Sequence, residues 1–211
     1  MAGHFITVEG PDGSGKSTQA RLLAEHLGAI YTREPGGTKL GEKLRNMVLD
    51  TNGEGPSDQA EALMIAAARA QHVVEVIKTA IEQDKNVVSD RFIESSVAYQ
   101  GYGRGLGPEK ILEISLFATQ ELQADLIVLI DVDAPLAANR RGKNLDRIEK
   151  AGDDFHFRVM EAYRTMASNE PDRWVVIDGS GTVDEVSKKV INEVEFCLLY
   201  TSDAADDTPC V

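Results

Sequence analysis

Apolar and polar positions follow two periods along the chain. Five short runs are apolar and rich in β-branched residues: Phe5–Glu9, Ala29–Thr32, Asn86–Ser89, Leu126–Ile130 and Trp174–Asp178. Runs of this length predict strands. Leu126–Ile130, apolar throughout, predicts a strand covered on both faces. Between these runs apolar residues return every three or four positions, as amphipathic helices require. Ser17–Leu27 carries Ala20, Leu22, Leu23, Ala24 and Leu27, and Lys39–Leu49 carries Leu40, Leu44, Met47 and Val48. The same spacing covers Ser57–Gln83, Glu109–Glu121, Pro135–Arg140, Asp154–Ala167 and Val183–Val194. Ser57–Gln83 is long enough to predict a kink or a break. Strand and helix signals alternate five times, which predicts an α/β fold: a five-stranded parallel sheet with helices on both faces.

Two stretches stand outside this plan. Tyr99–Pro108 holds Gly101, Gly103, Gly105 and Gly107 with two tyrosines and Arg104. That composition predicts a ligand-facing connection rather than a core element. From Cys197 to Val211 the periodicity stops, with three Asp and no cation. Residues 1–196 therefore read as one domain, and 197–211 as a disordered or non-native extension, such as one left by cloning or assembly.

The junction of the first strand and first helix carries the chemistry. Gly10-Pro11-Asp12-Gly13-Ser14-Gly15-Lys16-Ser17, followed by Thr18, fits G-x-x-x-x-G-K-[ST] in the strand–loop–helix context that motif needs. Gly10, Gly13 and Gly15 allow backbone N–H groups to approach an anion, and the helix N-terminus adds donors and a favourable dipole. Lys16 is placed for β- and γ-phosphates, and the Ser17 hydroxyl for Mg²⁺.

Composition narrows the partners. The hydrophobic share of 42% and charged share of 27% are ordinary globular values for 211 residues. A net charge of −13 argues against binding a nucleic-acid polymer but leaves room for a nucleotide held by a few local cations. The two cysteines form no C-x-x-C pair, and neither a leader pattern nor a membrane-length apolar run is present. A soluble cytoplasmic protein is expected.

Further candidates lie where strands end, the place where open α/β sheets hold ligands. Arg33 and Glu34 precede Pro35-Gly36-Gly37, and Asp90 and Arg91 follow the third strand. Asp90 reads equally well as a metal-side carboxylate or a turn residue. Arg69 lies among alanines, where a solvated arginine is the plain alternative. Arg140, Arg141, Lys143 and Arg147 gather four cations in eight residues, either a phosphate-facing lid or a solvated loop. The chain lacks an Asn-Lys-x-Asp guanine signature and a second domain, which favours a small phosphotransferase over a GTPase or a motor.

Six stretches together resemble the bacterial thymidylate kinase family: Glu9–Thr18, Thr32–Thr38, Ala68–His72, Asp90–Phe92, Ala98–Gly101 and Leu145–Glu149, in that family's order and spacing. The resemblance spans about Phe5 to Val194. It implies a P-loop kinase fold with a short lid, transfer of the ATP γ-phosphoryl to dTMP with Mg²⁺, and a homodimer formed by helix packing. It further implies roles for single residues. Lys16 cradles the transferred group, and Ser17 holds the metal. Asp12 meets the acceptor near its sugar and phosphate, and Arg69 and Arg91 clamp its monophosphate. Glu34 and Asp90 organise the metal and its waters. Arg33 and Glu34 border the acceptor, Tyr99 packs on the deoxyribose, and Ser96 and Gln100 lie near base and sugar. With no Arg beside Asp12 in the loop, Arg141 and Arg147 of the lid are the candidates for transition-state charge.

One position departs from the family. Where an aromatic residue commonly stacks on thymine, four residues before Arg69, this chain has Ile65. An aliphatic side chain covers a base without the stacking energy, which predicts weaker dTMP binding than in an aromatic-bearing relative. Ala68 likewise replaces a more polar residue. Another nucleoside-monophosphate or small-metabolite kinase of the same fold, or a nucleotide-binding module without turnover, remain the alternatives.

Overall fold

The first strand, β1 (Phe5–Glu9), is buried at every position and forms the middle of the sheet. It pairs in parallel with β3 (Val87–Asp90) on one side and β4 (Leu126–Asp131) on the other, so that Thr7 lies level with both Ser89 and Ile127. β2 (Ile30–Arg33) adds outside β3, and β5 (Trp174–Asp178) outside β4. The order β2-β3-β1-β4-β5, all parallel, is the expected five-stranded sheet. The computed structural model describes residues 3–142 and 145–204, with side chains through Leu198.

Alternation along the strands builds two cores. Phe5, Val87, Ile127 and Leu129 face one side; Ile6, Val8, Val88, Val128 and Ile130 face the other. The second face is covered by α1 (Lys16–Leu27) and α9 (Val183–Ala204), through Ala20, Leu23, Val186, Val190 and Val194. The first is covered by α3 (Asp58–His72), α6 (Pro108–Thr119) and α8 (Asp153–Asn169), which supply Ile65, Ile111, Val159 and Tyr163. The helix α2 (Lys39–Leu49) packs against α3.

One expectation holds and two change. The long helical pattern does break: α3 passes through a π-helical turn, Val73–Ile77, into α4 (Lys78–Ile81). The glycine-rich stretch is not an open loop. After α5 (Ile93–Ser96), residues Val97–Gly103 form a second π-helical turn in which Tyr99, Gln100, Gly101 and Gly103 are buried. Its glycines serve close packing, since a Cβ on Gly103 would lie 2.6 Å from the Phe155 ring. The closing helix also runs on to Ala204, because Cys197 and Leu198 continue the Val190 and Val194 stripe onto the second core. The rest of the predicted extension, 205–211, lies outside the described residues. Among those residues no helix is long and apolar enough to cross a membrane.

Candidate functional site

At the C-terminal end of β1 the chain turns through Gly10, Gly13 and Gly15, with φ of 144°, 89° and 91°. Gly13 is also sterically required, because a Cβ there would come within 2.2 Å of the Ala137 carbonyl oxygen. Side chains cap α2 through Thr38 and α3 through Ser57, yet α1 begins at Gly15 with no side-chain cap and no acid in its first turn. The Lys16 N–H meets Ser14 Oγ at 3.4 Å and the Thr18 N–H meets the Gly15 carbonyl at 3.0 Å, and among the described residues no carboxylate occupies the positive end of the helix dipole. Pro11 and Ser14 are buried, Ser17 is half-buried and Thr18 is exposed. Lys16 is buried with Nζ 3.5 Å from both the Pro11 carbonyl and Asp12 Oδ1. Burial and the Arg91 charge push its pKa down.

Arg91, just past β3, holds a positive φ of 75°, a strained conformation for a residue with a side chain. Its Nη1 donates to Ser95 Oγ at 2.8 Å, Tyr163 OH at 3.2 Å and the Gly10 carbonyl at 3.3 Å. Its Nη2 donates to Asp12 Oδ1 at 2.5 Å and Tyr99 OH at 3.1 Å. The guanidinium lies 4.8 Å from the centre of the Tyr99 ring, and Tyr99 donates to Asp12 Oδ2 at 2.8 Å. Burial alone would raise the Asp12 pKa; the Arg91 and Lys16 charges outweigh it and hold the carboxyl well below the usual range. Asp90 is buried, and its Oδ1 has no hydrogen-bond partner.

Asp12 and Arg91 line a cleft beside the loop. Ile65, Arg69, Ser96, Tyr99 and Gln100 also line it. The family model for thymidylate kinase matches residues 8–190 of the chain. The chain is 43% identical to the thymidylate kinase of Lactobacillus acidophilus over 95% of its length and 98% of that protein's. To the Pelobacter propionicus thymidylate kinase it is 42% identical, covering 91% of this chain and 94% of the relative. The fold matches the crystal structure of thymidylate kinase from Ehrlichia chaffeensis with a TM-score of 0.77 and 34% identity, over 92% of this chain and all of that one.

The chain belongs to the thymidylate kinase family.

Several side chains that the thymidylate kinase resemblance assigned to ligands are taken up by the protein itself. Arg69 was expected on a monophosphate. It is buried and donates to Glu34 at 2.7 Å, Ser115 at 2.9 Å, the Phe92 carbonyl at 2.8 Å and Ser96 at 2.9 Å, which leaves little donor capacity free. Glu34, expected near metal, has both oxygens occupied by Arg69 Nε and by His72 Nδ1 at 2.9 Å. Burial raises its pKa, and Arg69 and His72 more than reverse that. Arg33 does not line the cleft, because Glu42 holds its guanidinium at 3.0 and 3.2 Å.

The lid cations also differ from expectation. Arg147 donates to the Val48 carbonyl at 2.8 Å and to Glu61, a fully buried carboxylate that also receives Gln100 and Arg104. Arg141 follows α7 (Ala134–Arg140) and lines a separate depression with Glu149 and His156. Arg140 donates to the Gly179 carbonyl at 2.8 Å and the Gly181 carbonyl at 3.3 Å. None of the three borders the cleft, although Asp146 and Ile148 of the same segment do. Lys143 lies outside the described residues.

Sequence reasoning missed Arg45. It lines the cleft from α2 and donates to the Pro35 carbonyl at 2.9 Å. Its pKa is pushed down by burial and then by the neighbouring Arg33 and Arg91 charges. The signal was its place between Gly41 and Val48, the two buried residues of α2, at helical spacing. Glu9 and Glu94 were missed too. Burial pushes the Glu9 carboxyl up. Burial and then the Glu9 charge push Glu94 up to about 7, with Oε2 unpartnered and Arg173 4.0 Å from Oε1.

An acid whose folded pKa is raised adds stability fully present below its unfolded pKa and lost as pH rises through the folded value. For Glu94 the window runs from the ordinary 4.5 to about 7. Glu94→Gln should therefore remove a stability loss on the order of 2–3 kcal/mol across that window. Denaturant melts at pH 5 and pH 8 check this. An unchanged pH dependence would contradict it.

Proposed function

We propose that this protein transfers the γ-phosphoryl group of ATP to the phosphate of dTMP, giving ADP and dTDP, in the cytoplasm. The observation that supports the reading is a cleft that meets the phosphate loop at Asp12, in a chain of the thymidylate kinase family. Asp12 lies 3.5 Å from Lys16 Nζ on the loop side, and Ile65, Arg69, Ser96 and Gln100 line the same cleft. On this reading Gly10, Pro11, Gly13, Ser14, Gly15, Lys16, Ser17 and Thr18 receive the donor's phosphates. Arg91 and Arg45 take the acceptor's phosphate. Arg45 suits this role because among the described residues its guanidinium donates only to a carbonyl and is crowded by like charge, which a dianion would relieve. Asp12, kept ionised by Arg91 and Lys16, accepts hydrogen bonds from the acceptor, and Tyr99 packs on the deoxyribose.

Mg²⁺ fits the residues present. Asp90 offers a buried carboxylate oxygen without a partner, and Ser17 a hydroxyl one residue past Lys16. One or two protein oxygens plus phosphates and waters satisfy this cation. When bound it would neutralise charge on the phosphates. Arg147 reaches the reacting phosphates only if the lid releases it from Glu61, and Arg141 only with the same movement.

The test is ADP release with ATP and Mg²⁺ against dTMP, dUMP, UMP, CMP, AMP and GMP. The reading predicts a response to dTMP, a weaker one to dUMP and little to the others, with Ile65→Phe lowering the KM for dTMP. A preference for another monophosphate, or no turnover, would contradict it.

A homodimer is part of the same reading. Helices α2, α3 and α6 pack side by side and leave Met47, Leu63, Leu112 and Phe117 exposed, Phe117 to 86%. Apolar side chains on neighbouring helices suit burial against a second copy. Light scattering should return twice the chain mass of 23.0 kDa. The single mass would exclude the dimer.

A further inference from the structure

Glu9 ends β1 on the sheet face that α8 covers. It is fully buried and makes no ion pair within 4 Å among the described residues. Its oxygens meet three donors that surround Arg91. Oε1 accepts the Phe92 backbone N–H at 2.7 Å; Oε2 accepts the Ser95 hydroxyl at 2.6 Å and the Tyr163 hydroxyl at 3.0 Å. Those two hydroxyls in turn accept from Arg91 Nη1, at 2.8 and 3.2 Å. A hydroxyl has a single proton, and Ser95 Oγ also lies 2.8 Å from Tyr163 OH, so two protons serve three contacts. With those protons donated to Glu9 or from one hydroxyl to the other, lone pairs are what both present to the guanidinium.

The Phe92 bond acts on the backbone of the same residue. Arg91 sits at a positive φ, a strained conformation for a residue with a side chain unless its surroundings hold it. The hold comes from both sides: the Arg91 N–H donates to the Val8 carbonyl at 3.1 Å, and the next N–H donates to Glu9. Side chain and backbone of Arg91 are therefore fixed through one carboxylate that does not line the cleft.

We propose that Glu9 is the positioning residue of the acceptor clamp, setting the hydrogen-bond polarity of Ser95 and Tyr163 and the backbone of Arg91–Phe92 so that the guanidinium meets the acceptor's phosphate. The inference rests on Arg91 being that clamp. Glutamine is the same shape with the wrong polarity. If its amide nitrogen faces Phe92, donor meets donor. If it faces the hydroxyls, they accept from it and turn their protons towards Arg91.

The test compares Glu9→Gln, Arg91→Lys and the double variant by steady-state kinetics in each substrate, with thermal melts alongside. Glu9→Gln should raise the KM for dTMP about tenfold, the worth of one weakened charge-assisted hydrogen bond, and leave the KM for ATP within about twofold. Arg91→Lys should raise the KM for dTMP, and Glu9→Gln should add little on that background. A dTMP KM unchanged by Glu9→Gln but raised by Arg91→Lys overturns the inference alone. A dTMP KM unchanged by Arg91→Lys overturns the clamp itself. Equal losses toward both substrates with a lowered melting temperature would mean a merely structural role and also overturn the proposal. Should Glu9→Gln fail to fold, Ser95→Ala removes the relay hydroxyl and must show the same split.

Discussion

The guanidinium of Arg91 neutralises acids that two neighbouring strands deliver to one end of the sheet. Its charge acts on Asp12, on Glu9 at the end of β1 and on Asp90 at the end of β3. Each of those carboxylates is at least half-buried, where an unpaired charge is costly. The cation keeps Asp12 ionised and adds to burial in depressing Lys16, so the glycine loop, Asp90 and the cleft share one electrostatic centre. The strained backbone at Arg91 accompanies a side chain that reaches the loop, donating to the Gly10 carbonyl at 3.3 Å and to Asp12 Oδ1 at 2.5 Å.

Around this centre the protein uses carboxylates as anchors for cations and amides. Glu34 ties Arg69 and His72 together, and His72 reaches Thr32 at 2.6 Å, so the far wall of the cleft is a closed hydrogen-bonded chain. Glu61 does the same for Gln100, Arg104 and Arg147, linking that wall to the lid segment. Buried acids that are fully partnered rigidify a site, and a rigid site loses less entropy when it binds. The acidic composition therefore has a local function in addition to solubility.

The fold was legible because its signals are local. The strand, glycine loop and helix around Lys16 announce themselves in sequence, and the alternation of periods yields the sheet. Candidates whose location follows from backbone position, such as Lys16 after β1 and Asp90 and Arg91 at the end of β3, were legible for the same reason. What escaped was the fate of long polar side chains. Arg69 is met by Glu34 from 35 residues away and by Ser115 from 46, and Arg147 by Glu61 from 86. No spacing rule encodes such partners. The buried turn at Tyr99–Gly103 was misread because glycine there relieves contact with Phe155 and Pro108, packing that composition does not report.

On the function proposed above, this cleft recognises a nucleoside monophosphate through its phosphate, with Arg91 as the principal cation. Calorimetric titration of the protein with dTMP and with thymidine, in the absence of ATP, tests it most directly. The account predicts that dTMP binds at least about a hundredfold more tightly, as two charge-assisted contacts would supply. Comparable affinities for the two would contradict it.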